Sequence, residues 1–230
     1  MRTSEVRRER ELRRREDYRE TVLHAAERVI LRKGFSALTM DDVAREAQLS
    51  KATIYKYVPG KGALLFEIMG HSFDDIIRQL EAIVAGPGTA AEKLLLAVRA
   101  IIKENEDKKQ LARVLWMDKA MLKLMRVFAA ASGKPGSAPA ADRRMIGLLR
   151  DKRQQIVTAG SRILEEGVAS GEFRPMDFGR AASFLEAVLE GYAHARFWQG
   201  ELPVSPGAAE ALTRFIIEGI GNPERSGKEK

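Results

Sequence analysis

The chain has no cysteine and only three histidines. The missing thiols exclude a disulfide framework and a thiolate metal site, and make a reducing, cytoplasmic setting the expected one. His24, His71 and His194 stand far apart, without H-E-x-x-H or two-histidine-one-carboxylate spacing, so neither a metal centre nor a catalytic triad is expected. No run approaches the roughly 18 apolar residues of a membrane span, and the early arginines lead into no apolar stretch of the kind an export signal carries. Gly60-Lys61-Gly62 lacks the upstream glycine and following Ser/Thr of a phosphate loop. No segment alternates with period two, so no strands are expected. These absences argue against an enzyme and against any metal or cofactor.

What is present is apolar and basic. Hydrophobic residues make up 45% of 230 residues, enough for a real core. The net charge is +7, which favours nucleic acid or an anionic surface as partner. That charge is concentrated: residues 1–61 hold 15 Lys/Arg against 10 Asp/Glu, a net of +5, while the other 169 residues hold 24 against 22. Residues 1–19 interleave arginines with glutamates and offer almost no apolar face. They are expected to form a basic, flexible arm, either a solvated helix held by opposite charges at helical spacing or an arm touching phosphates. Residues 223–230 are expected to be a flexible tail.

Helical periodicity sets in at Thr21. Val22, Ala25, Ala26, Val29 and Ile30 fall on one stripe that predicts a helix ending at Gly34. Thr39 and Asp42 form a T-x-x-D helix start, predicting a second helix over about 40–47. Gln48 and Leu49 make a turn, Ser50 is a good N-cap, and a third helix from Lys51 to about Tyr57 is stopped by Pro59 and Gly60. Longer helices are predicted over about 61–84, 89–104, 106–131, 141–170, 177–199 and 206–220. The joints are marked by glycines and prolines, and a mobile loop is expected over 132–140. The fold class is therefore all-α with about nine helices: a three-helix unit over 20–66, then a larger helical domain over 67–222.

Two short helices around a tight turn, the second carrying Lys51, Thr53, Tyr55, Lys56 and Tyr57, form a helix-turn-helix. A major groove about 12 Å wide admits one helix, whose N-terminal residues reach base edges. Lys51, Ala52, Tyr55, Lys56 and Tyr57 are the base-reading candidates: the lysines donate to guanine, Ala52 packs on a thymine methyl, and each tyrosine offers a ring or a hydroxyl. Thr39, Ser50, Thr53 and Lys61 are candidates for phosphate contact. Val43, Ala44, Leu49, Ile54 and Val58 are expected in the core. Asp118, Glu165 and Glu166 are expected to be solvated charges.

The runs A-A-E-R-V-I-L-R-K-G-F, L-T-M-D-D-V-A-R-E-A, L-S-K-A-T-I-Y-K-Y-V and K-G-A-L-L, in this order between Val22 and Leu65, resemble the DNA-binding domain of the TetR family of bacterial transcription regulators. Gln48 departs from the usual turn glycine, and Val58 and Gly62 replace the usual Phe and acidic residue. If Gln48 takes positive φ, the cost is about 1 kcal/mol relative to glycine. The resemblance implies a phosphate-binding lysine at Lys61. It also implies a homodimer whose last two helices build a four-helix bundle, with Phe184, Leu185, Val188, Leu189, Leu212, Phe215, Ile216 and Ile220 at the interface.

Dimerisation is also required physically, because one helix-turn-helix buries too little surface for tight binding to a palindromic operator. The methionine- and aromatic-rich stretch with Trp116, Met117, Met121 and Met125 suits an adaptable pocket, with Phe184, Tyr192 and His194 as further lining. Its low charge points to a lipophilic or aromatic effector that releases a repressor from double-stranded DNA. In that reading the helix starting at Lys61 is the lever between pocket and DNA head. The alternative is an architectural or nucleoid-associated DNA-binding protein of the same fold without an effector. A third reading, an all-helical enzyme or lipid carrier touching a membrane, would leave α-helical lysines and tyrosines such as Lys56 and Tyr55 without consequence.

Overall fold

A computed structural model describes residues 2–118, 140–198 and 206–220. Among these residues there are nine helices and no strand: α1 (Arg2–Lys33), α2 (Met40–Ala47), α3 (Lys51–Tyr57), α4 (Lys61–Ala85), α5 (Ala90–Asp107), α6 (Lys109–Trp116), α7 (Ala140–Ala169), α8 (Phe178–Trp198) and α9 (Ala208–Ile220). None of the described helices is long and apolar enough to cross a membrane. The mobile loop expected over 132–140 lies almost wholly outside the described residues, as does the tail over 223–230.

The chain divides into two units, one of residues 1–71 and 110–146, the other of residues 72–109 and 147–230. The first unit is built on the stripe legible in the sequence. Val22, Ala25, Ala26, Val29 and Ile30 are buried, and Phe35, Leu38, Val43, Ala44, Ile54 and Val58 join them; Leu49 is half-buried. Each fully buried aliphatic side chain contributes about 1.5–3 kcal/mol. α1 is one continuous helix from Arg2, and residues 6–17 of it are exposed on all sides. Gly34, at φ 79°, takes the left-handed conformation that ends α1, and its N–H donates to the Ile30 carbonyl at 2.8 Å.

Asp118 is not the solvated charge its sequence context suggested. It is buried, and its carboxylate accepts from the Ser36 amide at 2.6 Å and the Ser36 hydroxyl at 2.5 Å, tying the turn after α1 to the segment after α6. A long-range partner 82 residues away leaves no local signature. The break between α5 and α6 falls at Lys108, later than the one expected near residue 105, because α5 keeps its hydrogen-bonding pattern to Asp107.

The second unit packs α5, α8 and α9 with the second half of α4 and most of α7 around Leu80, Leu94, Val98, Ile163, Leu164 and Phe173. Thr89 and Glu92 make a capping box at the start of α5, and the Glu172 carboxylate accepts from the amides of Ala90 at 3.3 Å and Ala91 at 3.0 Å. Glu166 also corrects its expectation. It holds the buried ammonium of Lys93 with both oxygens at 2.8 Å, and the same ammonium donates to the Val84 carbonyl at 3.2 Å. A buried lysine needs such a partner, since an isolated buried charge is strongly disfavoured.

Candidate nucleic-acid interface

The reading head is assembled by local hydrogen bonding. At the start of α2, the Thr39 hydroxyl accepts from the Asp42 amide at 3.2 Å while the Asp42 carboxylate accepts from the Thr39 amide at 2.9 Å. Lys33 pairs with the same carboxylate, and these bonds, Lys33 first and Thr39 second, hold Asp42 far below the usual carboxylate range. Arg28 and Arg32 both reach Glu46 at 2.6 Å, depressing its pKa and fastening α2 to α1. At the turn, Gln48 does take the left-handed conformation, φ 54° and ψ 38°, and its N–H donates to the end of α2. Ser50 caps α3, accepting from the Thr53 amide at 3.1 Å, and the two hydroxyls lie 2.7 Å apart.

These caps fix a short helix whose inner side is Ile54, fully buried, and whose outer side is exposed at Lys51, Ala52, Tyr55 and Lys56. Lys51 pairs with Asp41 at 2.7 Å, a hydrogen bond that raises its pKa and keeps it protonated. Tyr55 is 43% exposed, and Ala52 presents its methyl to solvent. Tyr57 differs from the other base-reading candidates. Its ring is half-buried and stacked on Tyr18 of α1, with centroids 5.6 Å apart and planes 16° apart. Lys56 Nζ lies 5.8 Å from the Tyr57 centroid, and the Arg14 guanidinium 5.6 Å from that of Tyr18. Lys61 is also engaged within the chain: its ammonium donates to the Ser36 carbonyl at 2.7 Å and sits 4.9 Å from the centre of the Phe35 ring. Thr39, Ser50, Thr53 and Lys61 thus all sit at the ends of α2, α3 and α4, where the helix termini of the unit are exposed or half-exposed.

Three contributors escaped the sequence reading. Asp41 restrains Lys51, Tyr18 buttresses Tyr57, and Arg19 Nε donates to Glu67 at 2.8 Å, tying α1 to α4. Tyr18 had a signal: it extends the stripe of Val22, Ala25 and Val29 by one helical turn. The other two depend on tertiary placement.

The remaining candidates fall in different places. Met117 is 77% exposed, Trp116 ends α6 with its side chain outside the described residues, and Met121 and Met125 lie outside them altogether. In the second unit Tyr192 packs against the core and His194 is exposed. Phe184 lines an open apolar depression of about 210 Å³ with Leu164, Arg174, Met176, Ala181, Leu185 and Ile220. The stripes expected at a dimer interface split. Phe184, Val188 and Phe215 are exposed at 65%, 40% and 69%, and Leu185, Leu212 and Ile220 are half-buried. Leu189 and Ile216, by contrast, are buried in the core of their own unit, because α8 and α9 each turn one side inward.

Comparison with known proteins agrees with this geometry. Residues 22–68 match the family model described as bacterial regulatory proteins, tetR family. The uncharacterized HTH-type transcriptional regulator YdeS of Bacillus subtilis is 46% identical over 46 residues; the match covers 20% of this chain, which spans only 23% of that relative's length. Among solved structures, a bacterial regulatory protein in the tetR family from Rhodococcus RHA1 is 20% identical with a TM-score of 0.62, covering 89% of this chain and 97% of that one. The fatty acid degradation regulator FadR from Bacillus halodurans is 14% identical with a TM-score of 0.66, covering 88% and 95%. At these identities the solved structures speak for the fold alone, and the family model speaks for a tetR-type helix-turn-helix over residues 22–68.

Proposed function

We propose that this chain is a transcription regulator that binds a palindromic DNA operator as a homodimer in the cytoplasm, acts as a repressor, and is released by a lipophilic or aromatic small molecule. The observation that carries the DNA-binding part is the outer side of α3, where Lys51, Ala52, Tyr55 and Lys56 stand exposed beside two capped helix N-termini. Lysines there donate to guanine O6 or N7, and backbone amides in the first turns of the helices take phosphate oxygens. Two such heads must lie about 34 Å apart, or a multiple of it, to enter successive major grooves. The exposed Phe184, Val188 and Phe215 on α8 and α9 supply an apolar face for the second copy.

The effector reading rests on the apolar depression beside Phe184 and on the low charge of the stripes around it. Release follows from population shift: a ligand that binds best to the dimer with mis-spaced heads lowers DNA affinity, typically by about 5- to 150-fold. α4, a single helix with residues in both units, is the proposed lever.

The test is in vitro selection of a duplex from a random-sequence pool by the wild-type chain, followed by titration of that duplex with the Tyr55→Ala, Lys56→Ala double variant. The variant is expected to keep its helicity and lose the selected duplex. Retained binding would reject α3 as the reading helix. A thermal-shift screen of lipophilic acids and aromatic compounds, with hits added to the DNA titration, tests release. If coupling stays unchanged in a Phe73 or His71 variant, α4 is not the lever.

A further inference from the structure

Residues 6–17 of α1 bury no side chain. Residues 6–17 are exposed, including Val6 and Leu12, so packing does not explain why this stretch continues the helix. Its charges, however, are sorted by face. At roughly 100° per residue, Arg7, Arg14 and Arg15 fall within about 60° of Tyr18, and Arg8 and Arg10 within about 80°. Glu9, Glu16 and Glu20 lie on the opposite side, roughly 160–180° away. Glu11 is the one acidic residue on the arginine side. The ion pair Arg13–Glu9, at 3.8 Å, belongs to the acidic side. A helix stabilised only by opposite charges would intersperse them evenly around its surface; here five of the eight arginines in residues 2–19 share one side, and Arg2, Arg13 and Arg19 lie off it.

The arginine side is also the side held against the reading helix. Tyr18 stacks on Tyr57 at the end of α3, and Arg14 Nη2 donates to the Tyr18 hydroxyl at 3.4 Å. From Tyr18 back to Arg7 the helix runs about 16 Å, along which duplex DNA presents a negative charge roughly every 1.7 Å of its axis.

We infer that the arginine face of α1, anchored to the reading helix by the Tyr18–Tyr57 stack, is a second DNA-binding element that grips the phosphate backbone flanking the base pairs read by α3. This rests on the DNA-binding reading of α3 and extends each half-site beyond the groove that helix enters. Tyr57 then serves as the joint between two DNA-contacting helices, and Tyr18 as a positioning residue that sets the angle of the arginine row.

The experiment uses the full chain and the duplex it selects from a random pool. Hydroxyl-radical footprinting and salt titration are run on wild type, on Arg7→Gln/Arg8→Gln/Arg14→Gln/Arg15→Gln, on Arg13→Gln from the acidic side, and on Tyr18→Ala and Tyr18→Phe, each checked for helicity. The quadruple variant should lose backbone protection outside the base pairs read by α3 while keeping it inside. Its affinity should fall at least about tenfold at about 0.1 M salt, and the slope of log K against log salt should flatten by about 0.9 for each phosphate the arginines no longer neutralise. Arg13→Gln should bind nearly as wild type. Tyr18→Ala, which keeps every charge, should blur the flanking protection, and Tyr18→Phe should restore it. An unchanged flanking footprint and slope in the quadruple variant overturn the inference while leaving α3 as reader. If wild type selects no duplex at all, the DNA-binding reading fails and this inference falls with it.

Discussion

Gly167 sits inside α7 where no side chain fits. A Cβ built there would come within 2.1 Å of Phe173 Cδ2 and 2.4 Å of its Cε2, far inside van der Waals contact. Phe173 is 2% exposed, and its amide donates to the Gly167 carbonyl at 2.9 Å, which holds the main chain carrying the ring close to α7. The neighbouring Glu172 carboxylate caps α5, and the Arg174 amide donates to the Ile220 carbonyl of α9 at 2.9 Å. Displacing the ring therefore disturbs α5, α7 and α9 together. Overpacking of this kind costs about 1–3 kcal/mol, and full expulsion of a buried phenylalanine about 3–5. Alanine regains up to about 1 kcal/mol of helix propensity over glycine. A 2.1 Å approach to a ring only 2% exposed puts the cost at the upper end of the overpacking range, so Gly167→Ala should destabilise the protein by a net of about 2 kcal/mol. At about 2–4 °C per kcal/mol for a chain of this size, Tm should drop by about 4–8 °C in circular-dichroism melts. Gly160→Ala in the same helix is the control. Its Cβ would meet only the Ala182 Cβ at 3.7 Å, an ordinary contact, so propensity should dominate and stability should rise by up to about 1 kcal/mol. Combining Gly167→Ala with Phe173→Leu should recover part of the loss. If Gly167→Ala melts at or above wild type, or costs as much in a Phe173→Leu background as in the wild-type one, the steric argument is wrong.

Gln48→Gly should stabilise the chain by up to about 1 kcal/mol in urea unfolding, since it removes left-handed strain and gives back only part of that through a more flexible unfolded chain; destabilisation would contradict the φ of 54°. Asp41→Asn frees Lys51 from its ion pair and removes a negative charge near the DNA, so affinity for the selected duplex should rise a few-fold with a steeper salt slope. Weaker binding would show that Asp41 positions Lys51 rather than restraining it. Asp42, depressed by Lys33 and Thr39, contributes stability that is fully present above the ordinary carboxylate range and is lost as pH falls through and below it. Asp42→Asn should therefore lower stability at neutral pH and flatten the acid limb of a stability-against-pH curve; an unchanged acid limb would count against the capping box. Thr39→Ala, at the other half of that box, should cost about 0.5–2 kcal/mol by the same melts.

Much of the reading head was legible because its interactions are local. The stripe of Val22, Ala25, Val29 and Ile30, the Thr39–Asp42 box and the Ser50 cap each involve residues a few positions apart and stand as the spacing predicts, and the turn expected at Gln48 is left-handed. The apolar face of α8 and α9 was only half legible. Periodicity marks Phe184, Val188, Leu189, Phe215 and Ile216 alike as hydrophobic, but it cannot say which turn toward their own core, as Leu189 and Ile216 do, and which toward solvent.

Asp118, Glu166 and Lys93 show the same limit for charge. Composition places a charged residue in water by default, and only the fold brings Ser36 to Asp118 and Glu166 to Lys93. The sequence by itself determined that the chain is helical, where α2 and α3 start and stop, and that a DNA-reading motif lies over residues 39–61, since caps, turns and stripes act over one or two helical turns. Tertiary structure alone decided that Tyr57 leans on Tyr18, that Lys51 is held by Asp41, and which charges are buried, since each of these needs residues distant in sequence brought within a few ångströms by packing.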